Sequence, residues 1–551
     1  MAGSKTDSVM TENTLEADHH STSTPTESTR SDIEKPEHEE HEKTLEHNTE
    51  PPRRGSIDSD VEHGISLVNP VEDKDEEGGA QGTITEHDPN VVDWDSPDDP
   101  ERAMNWTNKK KWTNQAIIAC VTFLTPLASS MVAPGVPEIL HDFNTTNETI
   151  GALVVSIYIL GYALGPLFIA PMSEVYGRLI TYHVNNILFV VWTIACALAP
   201  NVGALLAFRV LAGIAGSCPI TIGGGSIADL FKQEQRGAAM ALFALGPLMG
   251  PVIGPVAGGY LAQAKGWRWV FWVIAIAGGA ACTCSITFMR ETYEPVLLQR
   301  KVNRLRKETG NQKLRSKLDS GLPVRAYFIR ALVRPTKMLF LSPIVLALSI
   351  YMAVVYGYLY LLFTTLTLVF EHDYGFSGGN VGLVFLGIGV GSLLGLFIFG
   401  MASDKIVKRM SAKGEMKPEY RLPPLIPGSM VIPIGLFWYG WSAEAHIHWI
   451  MPIIGTMFVG LGLLATFMPI QTYLVDAFTI HAASAIAANT VLRSLVGAFL
   501  PLAGPKMYAA LGLGWGNSLL AFIAIALAPI SWIFFKYGER IRKSPRFQVT
   551  F

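Results

Sequence analysis

Charge is scarce in this chain. Of its 551 residues only 16% are Asp, Glu, Lys or Arg, against 49% hydrophobic, and the mean hydropathy is +0.30. Such a balance excludes a soluble globular protein over most of the length and points to a polytopic membrane protein. Cysteine is equally sparse. Cys120, Cys196, Cys218, Cys282 and Cys284 all fall in apolar stretches without metal-ligand spacing to histidine, so neither a disulfide framework nor a metal centre is expected. No G-x-x-x-x-G-K-[ST] loop occurs, which excludes a P-loop nucleotide site; no cofactor, catalytic residue or nucleic-acid partner is expected. The stretch after Met1 is polar, so the sequence predicts no cleavable leader, and the first apolar run serves as its own insertion signal.

The small net charge of −3 conceals two opposite segments. Up to Asn108 there are 28 acidic and 8 basic residues, and the remainder carries a surplus of 17 positive charges. Residues 1–108 are rich in Ser, Thr, Glu, His, Asp and Pro and nearly free of aromatics. That composition cannot bury enough apolar surface to fold, so the segment reads as a disordered acidic tail. Within it, Ser56 and Ser59 of RRGSIDSD fit kinase-substrate patterns.

From Trp112 onward, apolar runs of about 20 residues recur, the length that crosses a ~30 Å hydrocarbon core. They lie near 112–134, 149–172, 179–199, 203–228, 237–262 and 267–289, then near 339–369, 379–402, 423–441, 446–470, 483–508 and 514–536. The spacing predicts an all-α polytopic fold with twelve membrane helices in two pseudo-symmetric bundles, 109–289 and 338–540. A central loop, 290–337, joins them, and residues 541–551 end the chain. That loop holds 13 basic residues against 4 acidic, and Lys109, Lys110 and Lys111 precede the first run. The positive-inside bias places both termini and the loop in the cytoplasm. Asn144 and Asn147 each open an N-x-[ST] glycosylation acceptor in the first outside loop.

The fifth run reads GPLMGPVIGPVAGG, with Gly246, Gly250, Gly254 and Gly258 four residues apart, Gly259 at its end, and Pro247, Pro251 and Pro255 each following a glycine. In water each interior proline costs a helix about 3 kcal/mol. In a bilayer the backbone has no water to turn to, so helix persists and the glycines form a smooth stripe for close packing. Gly387, Gly391 and Gly395 repeat the theme in the eighth run.

Further motifs stand at fixed places among the runs. GPLFIAPMSEVYGR (Gly165 to Arg178) lies between the second and third, RVLAGIAGSCPITIGGGSIADLF opens at Arg209 in the fourth, and WRWVFW and ETYEPVLLQRKVNRLRKETG flank the sixth. On these motifs, from about Asn105 to Phe535, the chain resembles the major facilitator superfamily, and within it the fungal twelve-span drug:proton antiporters that export drugs, toxins or secondary metabolites. The resemblance implies a cytoplasmic gate at Gly165, Ser173, Glu174, Gly177 and Arg178, with Val175 where a basic residue is common. It implies an antiporter motif in the glycine-proline run, the fifth and eighth spans facing each other across the halves, and a cavity lined by the first, fourth, seventh and tenth spans. Protons and a small-molecule substrate would exchange across the plasma membrane lipid bilayer, with the protein acting as a monomer.

Charged residues within apolar runs are expensive and read as functional by default. Arg209, Asp229, Glu138 and Arg493 are the coupling candidates, although Arg493 could instead snorkel to an interface. Thr125, Ser129, Ser217, Tyr356, Tyr360, Phe467 and Gln471 are cavity candidates, and rings with few charges suit a large amphipathic substrate. Two other readings are an uptake facilitator for a sugar, polyamine or other metabolite, and a membrane scaffold or sensor acting through its tail.

Overall fold

A computed structural model describes residues 90–544 except 233–234, 320, 322 and 413–415, so the tail expectation for residues 1–89 lies outside the described residues. In the first half the crossings are α1 (Asn108–Ser130) continued by α2 (Val136–Asp142), α3 (Glu148–Tyr176), α4 (Arg178–Ala197), α5 (Val202–Gly216) continued by α6 (Cys218–Leu230), α7 (Arg236–Lys265) and α8 (Arg268–Phe288). Next come α9 (Glu294–Thr309) and α10 (Val324–Leu341). The second half comprises α11 (Pro343–His372), α12 (Gly378–Val384) with α13 (Leu386–Ser411), α14 (Leu425–Glu444), α15 (Ile450–Phe478), α16 (Ala482–Phe499), α17 (Gly504–Leu527) and α18 (Pro529–Lys543).

Among the described residues eleven helical runs are long and apolar enough to cross a membrane, and the last, Ala482–Lys543, has 62 residues. At 1.5 Å per residue that is far more than one bilayer needs. Gly512 interrupts it at φ +72, a conformation glycine adopts without steric cost, and the run becomes two crossings. Among the described residues the protein is therefore a predominantly helical, multi-pass membrane protein with twelve crossings. Large apolar side chains such as Ile276, Phe397 and Phe522 stay exposed on the helices, as a lipid-facing surface requires.

The two halves repeat one packing scheme. In the first, α1 packs on α7, α3 on α5 and α4 on α8; in the second, the equivalents are α11 on α16, α13 on α15 and α14 on α17. Between halves, α3 meets α16 and α7 meets α12, again an equivalent pair.

The fifth and eighth crossings do meet across the halves, but their glycine stripes are not the faces in contact. Gly246, Gly250, Gly254 and Gly258 lie against α1 of their own half rather than the other half. A Cβ on Gly250 would stand 2.8 Å from the backbone nitrogen of Leu127, and one on Gly258 would strike the carbonyl of Met131. Gly387, Gly391 and Gly395 likewise lie against α15 of their own half. The contact between halves uses neighbouring faces: Gly382 meets Pro255 and Val256, Gly389 meets Val252, and the amide of Gly379 donates to Gln263 Oε1 at 3.0 Å. A four-residue period fixes one face of α7, but it does not say which neighbour covers that face. Gly250→Leu should force α1 from α7 and lower both the thermal midpoint of the purified protein and its yield at the membrane. An unchanged midpoint would show that the backbones need not approach so closely.

Two more boundaries move. The central segment, expected as a loop, contains α9 and α10; Leu298 and Val302 are buried one turn apart on α9 amid its cations. Residues 90–108, expected to continue the tail, are ordered. Within them β1 (Val91–Val92) pairs in parallel with β2 (Arg315–Ser316). Lys301 Nζ meets Asp95 Oδ1 at 2.7 Å and Asp99 Oδ2 at 3.2 Å, and Arg304 meets Glu101 at 2.7 Å. Trp94 Nε1 donates to Glu294 at 2.8 Å. Acids that look like solvating tail charges are the counter-ions of α9.

Candidate functional site

At mid-depth the two halves meet through a chain of rings, hydroxyls and guanidinium groups. Arg209 on α5 is 1% exposed, and its Nη2 donates to the carbonyls of Ser129 (3.1 Å) and Val155 (3.2 Å). Its guanidinium also lies 5.3 Å from the Tyr158 ring, whose hydroxyl donates to the carbonyl of Thr125 at 3.1 Å. The Ser129 hydroxyl shares a 3.1 Å hydrogen bond with that of Tyr360 on α11, which crosses between halves. The Tyr360 ring is 5.2 Å from Tyr356, and Tyr356 and Phe467 each stand 5.1 Å from the guanidinium of Arg493 on α16. Arg493 is 7% exposed, so it is buried among rings and does not snorkel. Beside this chain an apolar cavity of about 50 Å³ lies between the halves, lined in part by Pro247, Pro251, Leu359 and Phe363. The prolines of α7 thus turn toward the partition while its glycines turn away.

A second cluster sits at the end of the bundle that bears the central segment. Glu291, 2% exposed, accepts from the backbone amides of Arg178 (2.9 Å), Leu179 (3.1 Å), Thr292 (3.1 Å) and Tyr293 (3.0 Å). The first two are orphan donors at the start of α4, where the helix dipole also favours an anion. Gly177 has φ +94, and any Cβ there would strike the Glu291 carboxylate. Arg178 Nε meets Asp229 Oδ2 at 3.3 Å, and its Nη1 donates to Ser173 Oγ at 2.7 Å. Its guanidinium stacks 4.7 Å from Tyr293, a phenol that burial pushes up to about 12.

Glu174 makes no hydrogen bond among the described residues; Arg178 and Arg334 act on it only through space. The acid that caps a helix here is Glu291. Arg334 lies on α10, which packs against both α3 and α16 and so links the halves at this end. Burial and then Arg334 hold the imidazole of His481 below its ordinary value near 6.5. A folded value below the unfolded one favours neutral imidazole, so its stabilising contribution is full above about pH 6.5 and is lost as pH falls through the folded value. Thermal midpoints measured from pH 7.5 to 5 should fall more steeply for the native protein than for His481→Gln. Parallel curves would remove His481 from this end's pH response.

The remaining candidates scatter. Ser217 donates to the carbonyl of Ile214 at 2.8 Å and packs against Gly165, so that pair brings α3 close to the fourth crossing. Gln471 is half-buried on α15, one turn beyond Phe467. Glu138 is exposed on α2, far from Arg209 in the chain and beside Gly266, at the end opposite the central segment. Asn144 and Asn147 are exposed between α2 and α3, where Asn147 Oδ1 caps α3 by accepting from Thr149. Asp229 belongs to the Arg178 cluster and is not at mid-depth. Sequence reasoning missed Glu291, Tyr158 and Tyr162. The two tyrosines, four residues apart on α3, carry the same one-face signal as Tyr356 and Tyr360.

A twelve-crossing protein with two equivalent bundles and a buried polar site at their junction is built as a transporter. Comparison with known proteins agrees. The Major Facilitator Superfamily matches residues 118–501, and the chain belongs to that family. It is 60% identical to the MFS-type transporter penM of Penicillium rubens over 92% of this chain and 98% of that one. It is 56% identical to the MFS transporter cpaT of Aspergillus oryzae over 92% and 99%. It is 54% identical to the efflux pump radE of Floropilus chiversii over 84% and 87%. Among solved structures it shares its fold with the xylose transporter XylE of E. coli in a partially occluded inward open conformation, at 16% identity and TM-score 0.59, covering 78% of this chain and 98% of that one. Family membership makes the chain a transporter of small molecules and not an enzyme.

Proposed function

We propose that the protein exports amphipathic organic compounds across the plasma membrane in exchange for protons, with the central-segment end and both termini cytoplasmic. The observation that carries this reading is the mid-depth chain from Arg209 to Arg493, because each half supplies part of one buried, ring-lined site. Rocking the halves about that site would expose it to either side in turn. The relative named as an efflux pump supports the outward direction. Asp229 is the titratable group assigned to the proton: its protonation would release Arg178 and loosen the cluster that holds α4, α6 and Glu291 together. Asn144 and Asn147 would then lie outside and be open to glycosylation, and the protein would work as a monomer.

The test is flux in inside-out vesicles across a panel of aromatic and amphipathic compounds, with and without an imposed proton gradient. Uphill accumulation that collapses with the gradient is expected, and Asp229→Asn should leave only gradient-independent flux. Gradient-independent accumulation by the native protein would overturn antiport, and accumulation in right-side-out vesicles alone would favour uptake.

A further inference from the structure

The two mid-depth arginines differ in how they are satisfied. Arg209 has two backbone carbonyls as acceptors for its Nη2, and its Nε alone is buried without a partner among the described residues. Arg493 has none: its Nε and Nη1 are buried without a hydrogen-bond partner among the described residues. Asn489, one turn earlier on α16, is fully buried, and neither its amide nitrogen nor its oxygen finds a partner. Residues four apart share a helix face, so α16 presents two adjacent, unsatisfied polar side chains to one spot. A buried, unpaired guanidinium is among the costliest groups a membrane protein can hold.

Among the described residues the groups that act on Arg493 are tyrosines, and no carboxylate is among them. Asp476 on α15 is held by Arg421 at 2.9 Å, Asp229 by Arg178, and Asp142 by Arg268 at 2.7 Å. Glu444 accepts from the amides of Leu513 and Gly514 at the far end of α14. What surrounds Arg493 is the Tyr356 and Phe467 rings, with the hydroxyls of Tyr162 and Tyr360 within electrostatic reach. Rings packed against a cation with free N–H groups are the chemistry that recognises a flat molecule carrying its own anion.

We propose that Arg493, assisted by Asn489, is an anion-recognising subsite, and that the compounds carried are organic anions, with an ionised carboxylate, enolate or phenolate on a conjugated ring system. This rests on the export reading for its setting and adds the class of substrate. Arg493 supplies the counter-charge, Asn489 a further donor, and Tyr356 and Phe467 the ring contacts. Arg209, whose Nη2 is held by two carbonyls although its Nε also lacks a partner among the described residues, is the framework member of the pair.

The experiment uses the full chain purified in detergent and matched pairs of probes, 1-naphthoate, 2-naphthoate and 9-anthracenecarboxylate with their methyl esters, followed by tryptophan fluorescence and thermal shift. The native protein should bind at least one acid ten times or more tighter than its ester. Arg493→Gln should erase that preference while leaving ester affinity within twofold, Arg493→Lys should retain part of it, and Asn489→Leu should weaken acid binding without touching ester binding. Equal binding of acid and ester by the native protein, no binding of any acid, or equal weakening of both forms by Arg493→Gln would overturn the subsite. Vesicle flux of the same acids separates the two claims. Arg493-dependent binding without outward, gradient-driven flux would sink the export reading and leave the subsite standing. Outward flux of esters as fast as acids would do the reverse.

Discussion

Glu291→Ala is expected to give a protein that fails to accumulate stably, even though the residue touches no ring of the mid-depth site. The side chain satisfies four backbone amides from two segments, the start of α4 and the stretch leading into α9. Its removal leaves those donors buried and unpaired, each at about 1–3 kcal/mol, so a total loss on the order of 3–5 kcal/mol is expected after partial relaxation. Glu291→Gln retains one acceptor oxygen and should lie between the native protein and the alanine variant. Thermal midpoints and membrane yield of the three proteins give the ranking. An alanine variant as stable as the native protein would mean that water replaces the carboxylate without penalty.

Arg209→Gln should abolish transport while leaving the protein at the membrane. The shorter neutral amide cannot span the carbonyls of Ser129 and Val155 together, so α1 and α3 lose a common donor just where Ser129 reaches Tyr360. Loss of about 3 kcal/mol at this junction corresponds to roughly a 100-fold fall in flux. Arg209→Lys keeps the charge on a single point donor and should recover only part. Flux per molecule of correctly inserted protein is the quantity to compare. A glutamine variant within threefold of the native rate would remove Arg209 from the transport cycle.

The sequence made the twelve crossings legible because a bilayer demands runs of one length and one polarity, and those two properties survive in a linear reading. It also made Arg209 and Arg178 legible, since charge within or at the edge of an apolar run has few structural excuses. What it could not supply was partnership. Glu291 looked like any acid after a membrane helix, because its role depends on the start of α4 more than a hundred residues earlier. The glycine period of α7 was plain, yet its cover, α1, is a matter of bundle topology. Asp95, Asp99 and Glu101 read as solvated tail charges because the cations that hold them lie on α9, some two hundred residues away, and Asp93 because its partner is Lys317, just beyond β2. Arg493 is the reverse case: its place in the eleventh run was evident, and only the packed rings distinguish a buried cation from one reaching an interface.

The clasp of residues 90–106 on α9 sets a boundary for any truncation or fusion. A deletion that ends at residue 100 removes Asp93, Asp95 and Asp99 together, and strands Lys301, which is 4% exposed, without its counter-ions. Losing one partner of such a buried pair costs about 3–5 kcal/mol. A chain shortened in that way would misbehave for reasons unrelated to signalling by the acidic tail. Cutting before Asn90 leaves the clasp whole, so that is where the tail can be removed, tagged or exchanged and its own contribution read cleanly.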